Sequence, residues 1–441
     1  MIHLSLETRS SGSVVSTVNF NSGGYKLLDG FYPKSGNLNK QLTESFDISI
    51  KASSNSDLET KVRAVELALA FAREHQSGPD GVWILFSPKD TTLTEWQTRV
   101  TGGAVQHNPD LNKRWKDLKA QVQVILERDP YWESKTETTL ALTNRGTTGG
   151  SSADIVNHQD AGATDDLYIE IPADQVTGVI STPAIIEYKN TVNDAVLVDN
   201  LIVGHFAASG TISPPAAASL IMEGDVTADA NCSGGKYKAL TWADALENQL
   251  LSWTKASGDF QQRNYKMIAR LRDVVAYTDL WLKVKLLSGS TVLTETRWTL
   301  VTAGKSLVSI GTLQIPPFRF GSILDLGNLT VAIYEKQAAG SGTINLDYLA
   351  AIPLDGWRKY SAITGLAYNE TILDDPVDEI LVTKYSTNYK VTHKIEEGDP
   401  IMLQPGVKNV LYFLHDTTTG TAPIARTANV VVKCHPRRLT V

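Results

Sequence analysis

Cysteine is nearly absent: Cys232 and Cys434 are the two in 441 residues. They are too few and too far apart for a disulfide framework or a cysteine-built metal cluster. Two separate reduced thiols are expected, in a chain made in a reducing cytoplasm. No apolar run approaches the roughly 20 residues of a membrane span. The opening MIHLSLETRS lacks a basic stretch followed by an apolar one, so no signal peptide is expected. Basic blocks are missing too, the densest being Arg437-Arg438, and the formal net charge is −7. No nucleic-acid partner is expected from that balance. Catalytic signatures are also wanting: there is no GxSxG, HExxH, Walker loop or GxGxxG. The expectation is a protein that is not an enzyme, with no catalytic, cofactor or metal residues and no cofactor.

What is present describes an ordinary globular chain, 42% hydrophobic and 20% charged, long enough for two or three domains. One helix stands out at about 57–75. Asn55-Ser56-Asp57 supplies N-caps, and Leu58, Val62, Val65, Leu69 and Ala72 share one face. His75-Gln76-Ser77-Gly78-Pro79 stops it. Around it lie strand patterns: Phe46, Ile48 and Ile50 alternate with polar residues, and Val82–Phe86 is a continuous apolar run of a buried strand. Ala120–Arg128 alternates and ends at Asp129-Pro130-Tyr131-Trp132, an aromatic pair expected to pack in the core.

From Asn144 to Asp166 the chain is rich in Gly, Ser, Thr and Asp, and only Ile155 and Val156 offer anything to bury. Gly146–Ser152 resembles a phosphate loop but lacks the lysine, so a flexible linker is expected at 145–164. Beyond it, strands recur at the spacing of an antiparallel sandwich. They are read at Tyr168–Ile171, Ala184–Tyr188, Ala195–Val203, Leu250–Trp253, Lys266–Arg272, Leu280–Leu287, Val292–Val301, Leu307–Ile315, Leu329–Tyr334 and Ile344–Ile352. Residues 205–240 read as a long surface loop. The fold class expected is mainly β with one helix in an α+β N-terminal domain, 1–144. That domain is expected to be β-barrel-like, followed by a jelly-roll sandwich at 165–355. A C-terminal β segment, 356–441, is read as completing the first domain. On that reading, removing 165–352 leaves a folded core.

Candidate chemistry is sparse. His393, His415 and His435 fall in the last block, but their long spacings suit three unrelated residues better than a metal site. Asp374, Asp375, Asp378 and Glu379 form an acidic group without the glycine turn of a calcium loop. Asp347 lies inside a late strand, where many jelly rolls place a calcium ligand. Most of Trp242, Trp253, Tyr277, Trp281 and Trp298 are expected to be core, with a sugar-stacking platform as the alternative; sequence does not say which face each occupies, so the glycan-binding residues stay unknown. Glycoside hydrolysis needs two positioned carboxylates, and nothing selects a pair.

Two stretches carry a resemblance. The helix, then Arg128-Asp129-Pro130-Tyr131-Trp132, then a glycine-rich seam, is similar to the N-terminal domain of distal tail proteins of long-tailed phages. Leu403-Gln404-Pro405-Gly406-Val407-Lys408-Asn409, followed by Val430–Arg438, resembles the closing segment of siphophage tail proteins, with one extra residue between Gly406 and Asn409. Leu346–Pro353 resembles the last strand of carbohydrate-binding-type jelly rolls. The resemblance implies a structural, non-enzymatic tail-tip (baseplate) protein of the virion, assembled in the host cytoplasm. It implies a ring of six copies joined to the tail tube and other tail-tip proteins, and a sandwich that touches host-surface polysaccharide during host attachment. The alternatives are a cellular carbohydrate-binding protein with scaffold domains and an unrecognised glycan hydrolase.

Overall fold

The computed structural model describes residues 3–28, 30–34, 40–87, 95–107, 118–144, 147–157, 167–207, 221–223, 226–255, 264–315, 329–338, 340–377, 380–385, 388–390, 393–417 and 426–439. The fold is mainly β with one α-helix among those residues. The helix runs Asn55–Glu74. The Ser54 hydroxyl accepts from the Asp57 amide, and Asp57 accepts in turn from the Ser53 amide at 2.8 Å. Leu58, Val62, Val65, Ala68, Leu69 and Ala72 are its buried stripe. That stripe covers one face of a nine-stranded antiparallel sheet. Seven of its strands run in the order Ser13–Asn19, His3–Ser10, Gly81–Ser87, Trp96–His107, Lys119–Arg128, Leu42–Lys51 and Tyr25–Leu27, and the other two, Trp132–Ser134 and Arg437–Arg438, attach beside Trp96–His107. Val82, Ile84 and Phe86 point into the helix-side core, whereas Trp83 lies on the other face between the guanidinium groups of Arg9 and Arg99, at 4.4 and 4.8 Å. The apolar run is thus buried on both sides. The barrel-like shape expected for this region is corrected: the sheet is open, with Ser13–Asn19 and Tyr25–Leu27 at its ends.

A middle sandwich follows, built from two distant parts of the chain. Its central sheet runs Thr147–Gly150, Leu142–Asn144, Tyr168–Ile171, Asn409–Thr417, Val198–Ala207, Trp357–Leu366 and His393–Gly398. Facing it, a second sheet runs Ala153–Val156, Thr427–Cys434, Ile185–Asn190, Glu370–Asp375, Ile380–Tyr385 and Asn388–Lys390. Leu201, Val203, Leu411 and Phe413 from the first sheet meet Ile186, Tyr188, Val430 and Val432 from the second. Residues read as linker therefore carry strands: Ala153 and Ile155 alternate into this core, and both are buried. Residues 145–146 and 158–164 of that stretch lie outside the described ones.

The C-terminal segment likewise pairs chiefly with 142–207, and among the described residues its last stretch, His435 to Arg438, returns to the N-terminal sheet against Trp132–Ser134. Removing 165–352 would take three strands from the middle sandwich rather than leave a core intact. The Gln404–Lys408 turn shows why its asparagine is needed. The buried Asn409 side chain accepts from the Gln404 amide and donates to the carbonyls of Gln404 and Val407, each at 2.9 Å.

The third unit, the distal sandwich, is contiguous. Its inner sheet holds Thr227–Ala228, Lys236–Trp242, Gly342–Pro353, Asn264–Leu271 and Leu307–Gln314, with Ile221–Glu223 on Gly342–Pro353. Its outermost sheet holds Asn248–Lys255, Leu329–Gln337, Leu280–Ser288 and Thr291–Glu295, with Thr299–Leu300 on Leu280–Ser288. Of the stretch 205–240 read as a surface loop, 205–207, 221–223, 227–228 and 236–240 belong to strands, and 208–220 and 224–225 lie outside the described residues. The Val292–Val301 pattern divides into Thr291–Glu295 and Thr299–Leu300.

The distal sandwich is stacked on the middle one through shared core. Ile202, Phe206, Val410, Tyr412 and Leu414, on the far face of the central sheet, pack in one cluster with Tyr265, Ile268 and Ile352 of the inner sheet. Contact is close enough that a Cβ at Gly204 would lie 2.4 Å from Ile352 Cγ2. The central sheet is therefore buried on both faces, and four sheets lie in layers.

Candidate functional site: an aromatic and lysine face

Among the described residues, stacking leaves one face of the outermost sheet uncovered. Strand Leu280–Ser288 explains its character. Leu280, Leu282, Val284 and Leu286 point into the core, so Trp281, Lys283 and Lys285 point away from it. Trp281 is 40% exposed. Lys283 Nζ lies 4.5 Å from the Trp298 ring and Lys285 Nζ 4.1 Å from the Tyr334 ring, which stands on the neighbouring strand. Each ammonium is thus held by a π-face.

Two glutamates complete the arrangement. Glu295 lies 3.1 Å from Lys283, and Glu247 bridges both lysines, at 3.6 Å from Lys283 and in hydrogen-bond contact with Lys285. Burial pushes Glu247 up, but the hydrogen bond from Lys285 and the charges of both lysines outweigh it and hold the carboxyl below its usual range. Lys285 is held above its usual range because Glu247 outweighs burial there as well. The Tyr334 hydroxyl donates to Gln249 Oε1 at 2.7 Å. Lys283 is only 6% exposed despite its outward position, because these partners cover it. The result is a firm, aromatic, hydrogen-bonding face. Chemically it can stack on the apolar side of a sugar ring and bond its hydroxyls.

The residues proposed from sequence as a platform separate here. Trp281 and Trp298 lie on this face. Trp242 is buried and donates to Gln337 Oε1 at 3.2 Å, Tyr277 packs edge-on against it, and Trp253 is partly buried on the core side. Lys283, Lys285, Glu247, Glu295 and Tyr334 were not singled out. The alternation through Leu280–Leu286 places the two lysines outward, but nothing local brings Glu247 or Tyr334 to them.

Other sequence candidates take structural partners. Asp347 is fully buried, pairs with Arg270 and accepts from the Ser233 amide at 2.6 Å. Asp374 accepts two hydrogen bonds from Arg358 Nη1, at 2.7 and 2.8 Å, and one from the Tyr360 hydroxyl at 2.5 Å. Asp375 caps the Val377 amide at 3.0 Å; Asp378 and Glu379 lie outside the described residues. His415 is buried with Nε2 3.3 Å from the Arg426 carbonyl, and His435 Nδ1 is 2.7 Å from the Ser134 carbonyl, so the two serve different junctions. The side chain of His393 lies outside the described residues. Among the described residues, no group of three or more His, Cys, Asp or Glu could hold a metal ion. No described helix is long and apolar enough to cross a membrane.

The two stretches that carried the sequence resemblance meet at one junction. Arg128 pairs with buried Glu44 at 2.5 Å and lies 4.8 Å from the Trp132 ring. Arg437 pairs with Glu133 at 3.2 Å, lies 4.0 Å from the Tyr131 ring, and accepts at its carbonyl from the Val179 amide at 2.8 Å. Chain end, N-terminal sheet and middle sandwich are thereby tied together.

No family model matches the chain, and no curated protein matches it. Among solved structures, the chain is similar to one from the phage P2 baseplate in its activated conformation with Ca, at 8% identity and a TM-score of 0.29, covering 98% of each chain. It is similar to one from the same baseplate with Sr, at 8% identity and a TM-score of 0.25, again covering 98% of each. A third is the VP2 subviral particle of infectious bursal disease virus, at 10% identity and a TM-score of 0.17, covering 69% of this chain and 82% of that one. TM-scores this low leave the fold to be described by its own strands.

Proposed function

We propose that this protein is a non-enzymatic structural component of a long-tailed phage tail tip, whose distal sandwich contacts glycans of the host surface. The observation that carries the reading is the junction of Arg128–Trp132 with His435–Arg438: the two stretches similar to tail proteins, some three hundred positions apart, converge on one interlocked contact. On this reading the chain divides into three units. They are an N-terminal unit of 3–134 with Arg437–Arg438, a middle sandwich of 138–207 with 357–434, and a distal sandwich of 221–353.

The N-terminal unit builds a ring through its open edge. Strand Ser13–Asn19 presents Val14 at 51% and Val15 at 61% exposure, an edge on which a second copy can add. The ring joins tail tube and adhesion proteins, and repetition of the aromatic face around it multiplies weak sugar contacts. Light scattering and electron microscopy test this: closed rings of several copies, six on the family pattern, are expected, and a monomer at every concentration overturns it. A cellular carbohydrate-binding protein is the second reading, favoured by the aromatic face alone; sugar binding by a stable monomer would select it.

A further inference from the structure

Along strand Leu329–Gln337, Leu329, Val331 and Ile333 point into the core. The next residue on that face is a carboxylate, Glu335, and it is 0% exposed. Its Oε1 accepts from Asn248 Nδ2 at 2.8 Å, directly across the strand pair with Asn248–Lys255. Its Oε2 has no hydrogen-bond partner among the described residues. A buried carboxylate oxygen without a partner is unfavourable and calls for a proton, a water or a cation. The same Asn248 nitrogen meets two further oxygens, Asp244 Oδ1 at 3.0 Å and the Leu246 carbonyl at 3.0 Å. An amide group has two hydrogens, so three acceptors exceed what it can satisfy. Among the described residues no lysine or arginine pairs with Asp244 or Glu335. Burial pushes the Glu335 carboxyl above its usual range; the Asn248 hydrogen bond opposes this, and the Asp244 charge adds to it. Two carboxylates thus converge with no cationic side chain on either.

We propose that Asp244, the Leu246 carbonyl, Asn248 and Glu335 form a calcium site. Turning the Asn248 amide over puts its oxygen where its nitrogen stands, a change that leaves the shape of the side chain the same. The other three oxygens lie 2.8–3.0 Å from that position. That is about the separation of neighbouring oxygens around an ion held at roughly 2.3–2.6 Å. Two carboxylates, a carbonyl and an amide are a donor set that calcium takes, and the two carboxylates balance a divalent charge. Oxygen donors alone disfavour zinc, and magnesium keeps its waters rather than enter such a cage. Asp244, Leu246 and Asn248 occupy alternate positions, as ligands do in loops that wrap calcium. Glu335 lies too far from them in sequence for the set to show as a motif. The site differs from both places where sequence raised calcium, since Asp347 is taken by Arg270 and Asp374 by Arg358. Glu247 stands between two of the ligands and bridges Lys283 and Lys285, so the ion also fixes the loop that completes the aromatic face. The site itself does not depend on what that face binds.

Calorimetric titration of the EDTA-treated full-length protein with calcium chloride, and separately with magnesium chloride, tests the site. Calcium is expected to bind and to raise the melting temperature, read by circular dichroism, and magnesium at the same concentration to do neither. Glu335→Gln keeps the shape of the side chain and its acceptor for Asn248, so it should fold. Without calcium it should melt at least as high as the unaltered protein, because a buried unpaired charge is gone. Its calcium affinity should fall about tenfold or more, since affinity follows the charge of the ligands. Asp244→Asn, at an exposed position that tolerates the change, should weaken calcium binding in the same way. No calcium binding up to about 10 mM, above the roughly millimolar limit of the weakest such sites, would overturn the proposal. So would equal binding of magnesium, or an unaltered calcium affinity in either folded variant. None of these outcomes bears on ring formation, which is read by microscopy, or on sugar binding, which is read by Trp281→Ala.

Discussion

Strands Asn409–Thr417 and Leu280–Ser288 are of equal length and differ in pattern. The first carries Val410-Leu411-Tyr412-Phe413-Leu414, apolar at every step, and all five are buried. Val410, Tyr412 and Leu414 serve the core shared with the distal sandwich, while Leu411 and Phe413 serve the core of the middle one. The second alternates, with leucine and valine inward and Trp281, Lys283 and Lys285 outward. A continuous run marks a sheet sandwiched between two others, and alternation marks one with a free face. The free face is where ligand chemistry collects, because only there can side chains change without disturbing a core.

The sharpest way to break this contrast is to remove the distal sandwich. Joining 207 to 357 without 221–353 would expose Ile202, Phe206, Tyr412 and Leu414 to water. Loss of soluble protein is expected, and a soluble, cooperatively folding product on size exclusion would show that the shared core is dispensable. Next is Phe413→Ala, which should cost about 3–5 kcal/mol by opening a cavity inside the middle sandwich, read from urea denaturation. Gly204→Val tests the docking itself. Its Cβ would press on Ile352, and roughly 1–3 kcal/mol of destabilisation is expected from overpacking.

Trp281→Ala addresses the free face. Stability should change by less than about 0.5 kcal/mol, whereas the glycan binding proposed for this face should weaken about fivefold, the worth of roughly 1 kcal/mol of aromatic stacking. Unchanged binding, or no binding by the unaltered protein, would overturn the sugar-binding reading of this face.

The smallest effect concerns pH. Glu247 has a folded pKa below its ordinary 4.5, so its ionic contribution is complete above 4.5 and lost as pH falls through the lower folded value. Lys285 has a folded pKa above its ordinary 10.5, so its contribution is complete below 10.5 and lost as pH rises through the higher folded value. The glycan binding proposed for this face should therefore be flat between these limits and fall outside them; a titration step inside the window would mean that another group controls the face.

Much of the architecture was legible because burial writes periodicity into sequence. The helix was expected at 57–75 and runs Asn55–Glu74, since its cap and its apolar stripe are both local signals. Strands Leu280–Ser288 and Gly342–Pro353 follow from alternation and from a long apolar run. The seam at 144–166 misled. Thr147–Gly150 and Ala153–Val156 are held by partners such as Thr427–Cys434, so weak local preference gives way to long-range pairing. The role of 357–434 was misread for the same reason: a strand's partner lies in the other strand's sequence, not in its own.

Sequence by itself determined that the chain is β-rich with one helix, and which faces of its strands are apolar. Its charge, its two cysteines and the turn at Pro405-Gly406 were equally plain. Tertiary structure alone decided that the last fifth or so of the chain closes the middle sandwich, and that Glu247 reaches Lys283 and Lys285. The physical reason is that periodicity follows from each residue's own burial, whereas a site is a meeting of side chains whose spacing depends on how separate sheets stack.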